Sequence, residues 1–222
     1  MRVIWRLLMV LAASAGIVCL AFTIGRPWAY FTVQSNTILV VYCGLRLCGA
    51  GRSPTFKGAV TLYLVVTGIT NFVSRGGANP LVLLDGDVRH LGNFLLHYVT
   101  PVMALADWLA FDRAARPRWS APFAWPAFPV AYGVFVVTAA PVMLKRYIYP
   151  VLPLERLGPA VVVLVVLAVA AIFVVMGYVL IVLHRLAAGP VERSKAAAQW
   201  QPPEPQHDPV AWGSRSLPPP SS

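Results

Sequence analysis

The amino-acid sequence predicts an all-α polytopic membrane protein, a bundle of six transmembrane helices over residues 1–185 with a disordered, proline-rich cytoplasmic tail over 186–222. Three observations predict it. Apolar residues make up 58% of the 222 positions and charged residues only 12%, about half the charged share of ordinary soluble domains. Mean hydropathy is +0.69. The charges are also clustered, which leaves charge-free windows at 7–25, 27–45, 58–74, 90–106, 119–144 and 157–183. A spanning helix needs roughly 17–25 mostly apolar residues, and each window meets that length.

The first window follows Arg2 and Arg6 and contains Ala13-Ser14-Ala15, a pattern that resembles a secretory signal. Apolarity continues past that point through Val18, Leu20 and Phe22, so a retained span is expected. Arg26-Pro27 separates it from the second window, and the proline suits a helix start. The third window ends at a turn-rich loop, 75–89, with Gly76-Gly77, Asn79-Pro80, Asp85 and Asp87. The fourth carries Pro101, which has no N–H for the carbonyl of His97 and should break the helix there. Pro122, Pro126 and Pro129 should kink or delay the first turns of the fifth. The sixth is rich in Val, Leu and Ala, as suits a lipid-facing helix. Beyond Arg185 the chain has eight prolines and few large apolar side chains, hence the expected disorder of 186–222.

Orientation follows from the basic residues. With the N-terminus cytoplasmic, that side receives 12 Lys and Arg and the opposite side 6. The positive-inside bias therefore places both termini in the cytoplasm. The net charge of +10 reads as this bias plus attraction to anionic headgroups. It does not indicate nucleic acid, because the basic residues are dispersed over loops. Cys19, Cys43 and Cys48 read as buried, inert thiols, and no Cys/His pair has metal-ligand spacing. No cofactor or metal is expected. Arg outnumbers Lys 15 to 3, a bias that favours a bacterial cell membrane with lipids as the surrounding partners.

The polar residues inside these windows are the candidate site. At 1.5 Å rise per residue, Thr32, Asn36, Asn71, Asn93 and His97 fall at one level in three spans. Thr32/Asn36 and Asn93/His97 are i,i+4 pairs, so each pair shares a helix face. His97 is the ionisable group expected deepest in the bilayer, whereas Asp107 is expected near water at the end of its span. An intramembrane ionisable residue is a functional hypothesis by default. The chemical reading is a nucleophile and base, with Thr32 attacking and His97 taking its proton, Ser35 and Thr100 being rival hydroxyls. Gln34, Asn36, Asn71 or Asn93 would orient the ring or donate to an oxyanion. The alternative is cohesion, in a membrane protein that binds lipid or a small molecule or acts as a scaffold without catalysis. Thr, Asn and His commonly join membrane helices through interhelical hydrogen bonds.

The fragments YFTVQSN (30–36), TGITNFVSRG (67–76), LLHYVTP (95–101), DWLAF (107–111) and YIYP (147–150) resemble the Pr6Pr family of bacterial six-span membrane proteins. That family is in turn distantly similar to the androgen-induced membrane proteins. Those are six-span intramembrane threonine hydrolases of branched fatty-acid esters. The resemblance implies a hydrolase of lipid esters in the outer leaflet, with Thr32 after Tyr30-Phe31 as nucleophile and His97 ahead of Pro101 as base. Lys145 and Arg146, at headgroup level, would hold a substrate carboxylate.

Overall fold

The computed structural model describes residues 1–50, 53–113, 116–144 and 158–199. Those residues form helices and turns. Helix α1 (Arg2–Thr23) is followed by a 3₁₀ turn at Pro27–Ala29 and by α2 (Phe31–Leu47). Helix α3 (Pro54–Ser74) is capped by Ser53, whose hydroxyl oxygen accepts from the Phe56 N–H at 3.2 Å. The fourth rod is α4 (Val88–Phe94), a π turn at Leu95–Val99 and α5 (Thr100–Phe111). One turn of helix, α6 (Ala121–Ala124), precedes α7 (Ala127–Leu144), and α8 covers Pro159–Gln199.

Five of these rods are long and apolar enough to cross a membrane: 2–23, 54–74, 88–111, 121–141 and 160–188. At 17 residues α2 is the shortest of the six. Large apolar side chains stand exposed along α1, α3, α7 and α8, among them Leu11, Val73, Val134 and Leu164. In water such a surface would be a strong drive to associate, whereas lipid tails cover it at no cost. The chain is a multi-pass integral membrane protein.

Both proline expectations have counterparts in the fold. The π turn falls on 95–99 and ends two residues before Pro101, whose missing N–H prevents a regular α-helical ladder there. The rod at 121–144 is interrupted at Trp125-Pro126, between α6 and α7. That joint is held on α3, because Trp125 Nε1 donates to Thr55 O at 2.9 Å and Tyr63 Oη donates to Trp125 O at 2.8 Å.

Helix α3 is the most enclosed of the long rods, with 56% of its span window buried, and α8 the least, with 11%. Two apolar clusters wrap α3. Phe31, Leu62, Tyr63, Trp108, Trp125 and Phe173 join it to α2, α5 and α8. Met9, Leu39, Cys43, Val60, Leu64 and Ala104 join it to α1, α2 and α5. Gly68 lets α3 approach the π turn, since a Cβ there would lie 2.7 Å from the His97 carbonyl oxygen. Small residues at such crossings are how membrane helices gain close packing.

The chain divides into two units, Met1–Gly189 and Pro190–Ser222. Helix α8 continues to Gln199, so residues 186–199 are helical where a disordered tail is expected. Residues 200–222 lie outside the described residues. Lys145 and Arg146 also lie outside them, so the expected carboxylate-binding pair is not part of the site below.

Candidate functional site

Two polar layers occupy the bundle. The first is built around the π turn and contains most of the residues singled out in the sequence. Helix α2 reaches this turn through Asn36, which is fully buried. Its Nδ2 donates to Thr32 O at 2.8 Å and to Leu96 O at 3.3 Å. Its Oδ1 accepts from the Thr100 hydroxyl at 2.6 Å. Helix α3 reaches the same turn from another direction, with Thr67 O 3.2 Å from Nδ1 of His97. One turn on, the Tyr98 hydroxyl donates to Oδ1 of Asn71 at 2.9 Å. The widened turn is therefore clamped between α2 and α3, and the carbonyl of Leu96, near the proline break, gains side-chain donors.

Asn36, Asn71 and His97 are gathered at this level as depth along the spans suggests. The hydroxyls fare differently from one another. Ser35 Oγ donates to Thr32 O at 3.0 Å, and Thr100 Oγ1 is engaged by Asn36 and by Leu96 O. The Thr32 hydroxyl and the Asn93 amide make no hydrogen bond among the described residues, and none joins Thr32 to His97. Thr32 sits on the first turn of α2, nearer the helix end than a span starting at residue 27 implies.

The tautomer of His97 follows from its partner. A backbone carbonyl only accepts, so Nδ1 must carry the proton in the neutral ring, and the lone pair is on Nε2. Nε2 has no hydrogen bond among the described residues. It is not one of the enclosed, unpartnered atoms, which are Arg46 Nε, Trp108 Nε1, His184 Nδ1 and Arg185 Nε.

The second layer is absent from the sequence-based expectations. Asp107 is 0% exposed, Arg6 4% and Lys57 5%, so Asp107 is enclosed among paired charges where a water-accessible position is expected. Arg6 Nε lies 3.2 Å from Asp107 Oδ1, and its Nη2 lies 3.0 Å from Asp112 Oδ2. Lys57 Nζ bridges the same two carboxylates. Side chains from α1, α3 and the end of α5 thus form one compact ionic cluster. Burial of so many charges is tolerated only when each is paired. Beside it, His184 of α8 stacks on Trp108 with ring centroids 4.6 Å apart, and His184 Nε2 lies 3.2 Å from Asp112 O. The sequence held a signal for this cluster. Arg6 and Lys57 open the first and third spans and Asp107 and Asp112 close the fourth, so opposite charges share one end of the bundle. Their assignment to topology alone concealed the pairing.

No family model, curated protein or solved structure matches the chain.

Proposed function

We propose that this membrane protein is an intramembrane hydrolase of lipid acyl esters, with Thr32 as nucleophile and His97 as its base. The observation that carries the reading is the orientation of the His97 ring: Thr67 O holds Nδ1 at 3.2 Å, which leaves Nε2 as the basic nitrogen. Among the three candidate hydroxyls, Thr32 is the one without a hydrogen bond to a described residue, whereas Ser35 and Thr100 are engaged. In the reaction, Thr32 Oγ1 bonds to the ester carbonyl carbon as its proton passes to His97 Nε2. The C–O bond to the alcohol breaks and the leaving oxygen takes that proton. Water then adds to the threonyl ester as His97 takes its proton, the acyl–Oγ1 bond breaks, and His97 returns that proton to Thr32 as the fatty acid leaves. Among the described residues, Asn93, Nδ2 of Asn71 and the second N–H of Gln34 Nε2 are left for the oxyanion. The distant resemblance to the androgen-induced hydrolases supports the same two residues.

The test is covalent labelling of the detergent-solubilised chain with a fluorophosphonate probe. Wild type is expected to react, and Thr32→Ala and His97→Ala to lose the label. A Thr32→Ala variant that labels as well as wild type rejects the assignment. The second reading, cohesion in a non-enzymatic lipid- or small-molecule-binding protein, is favoured by the hydrogen bonds that Asn36 and Tyr98 make across helices. Under it wild type would not label, and His97→Ala would only lower the melting temperature.

A further inference from the structure

A cavity of about 200 Å³ opens beside the ionic cluster, lined by Tyr42, Arg46, Ser53, Lys57, Trp108 and Asp112. It lies away from the Thr32 and His97 layer, since Asp107 is ten residues beyond His97, or about 15 Å of helix. Its walls present donors in excess. Arg46 stands partly exposed in its wall, while Arg46 Nε and Trp108 Nε1 are enclosed behind it and have no partner among the described residues. The Tyr42 hydroxyl makes no hydrogen bond among the described residues. Ser53 Oγ accepts from Phe56 N, so its own proton remains to be donated. Ser53 and Pro54 bring the N-terminal end of the 21-residue α3 to the same wall, where the helix dipole is positive. The acceptor present, Asp112, is already held by Arg6 and Lys57. Counted together, Arg6, Arg46 and Lys57 outnumber Asp107 and Asp112 by one positive charge.

A surplus positive charge and hydrogen-bond donors around one cavity favour an anion. We infer that this cavity binds an oxyanion of the phosphate class, either free phosphate or the phosphate of a lipid headgroup. A tetrahedral oxyanion accepts hydrogen bonds on every side, as donors from α2 and from the start of α3 require, whereas a carboxylate offers two coplanar oxygens. Arg46 supplies the uncompensated charge and a planar donor fork. Lys57 is shared with the carboxylates and acts as a point charge.

Thermal unfolding of the full chain in detergent tests this, with inorganic phosphate as one titrant and dispersed phosphatidic acid as the other. Chloride at matched ionic strength is the control for the first and diacylglycerol, which lacks the phosphate, for the second. Either titrant is expected to raise the melting temperature more than its control does. A response to both points to the free ion as sufficient ligand, and a response to phosphatidic acid alone assigns the site to a headgroup. Arg46→Gln should raise the half-saturating concentration about tenfold or more, as loss of a charged donor does. Tyr42→Phe, which keeps the ring, should raise it severalfold and serves if Arg46→Gln fails to fold. A wild-type protein that melts no higher with either titrant than with its control overturns the inference. So does a response that neither variant weakens. Because Thr32 and His97 take no part, this outcome is independent of fluorophosphonate labelling.

Discussion

At the scale of single residues, the two polar layers differ in what their loss should do. The Thr32 hydroxyl makes no hydrogen bond among the described residues, so Thr32→Ala should change stability by less than about 0.5 kcal/mol. Asn36 is buried and tied to Thr32, Leu96 and Thr100, and Asn36→Ala should cost about 1–3 kcal/mol. Thermal unfolding in detergent distinguishes the two, and a large loss at Thr32 would mean that its hydroxyl is structural. Asp107 sits between Arg6 and Lys57. Asp107→Ala should therefore destabilise by about 3–5 kcal/mol, and Lys57→Met with Asp107→Leu should restore much of it. In the loop before α4, Asp85 accepts from Asp87 N at 3.1 Å and meets His90 Nδ1 at 2.8 Å. These partners, the backbone bond foremost, hold its carboxyl below the usual value of about 3.9. A depressed value means that this contact contributes fully above the unfolded pKa and is lost as pH falls through the folded one. Carboxyl titration by NMR should show the low midpoint, and His90→Ala should move it upward.

At the scale of helices, the glycines separate close approach from mere tolerance. A Cβ at Gly68 would strike the His97 carbonyl oxygen, while one at Gly44, in α2, meets nothing within 4 Å. Gly68→Ala should destabilise by about 1–3 kcal/mol through a forced shift of α3. Gly44→Ala should be neutral or stabilise by up to about 1 kcal/mol from helix propensity. Equal effects of the two substitutions on melting temperature would contradict this packing. The helices themselves were legible in the sequence, because an uncharged window of spanning length has few alternatives, and the breaks at Pro101 and Pro126 follow from a missing N–H. Pairing between helices was legible only in depth. Linear position states how far along the axis Asn36 and His97 lie, but not that Asn36 turns to Thr100 while His97 turns to Thr67. The charges at span ends were the hardest to read, since the same arginine can fix orientation or close a buried ion pair.

At the scale of the whole molecule, the distribution of basic residues predicts that both chain ends face the cytoplasm. Cys43 is buried as expected, but Cys19 is half-buried and Cys48 exposed, so in a Cys19→Ser variant a membrane-impermeant maleimide should label Cys48 in inverted vesicles and not in right-side-out ones. Labelling from the outer face would reverse the orientation. The ionic cluster also has a consequence for biosynthesis. Lys57 and Asp107 are 50 residues apart in the chain and Arg6 and Asp107 are 101 apart. At about 5–20 residues per second, the arginine and lysine wait roughly 3–20 s for a counter-charge. Until α5 emerges from the ribosome, α1 and α3 must keep those cations near the headgroups, so lateral assembly of the nascent chain is timed by the arrival of an aspartate.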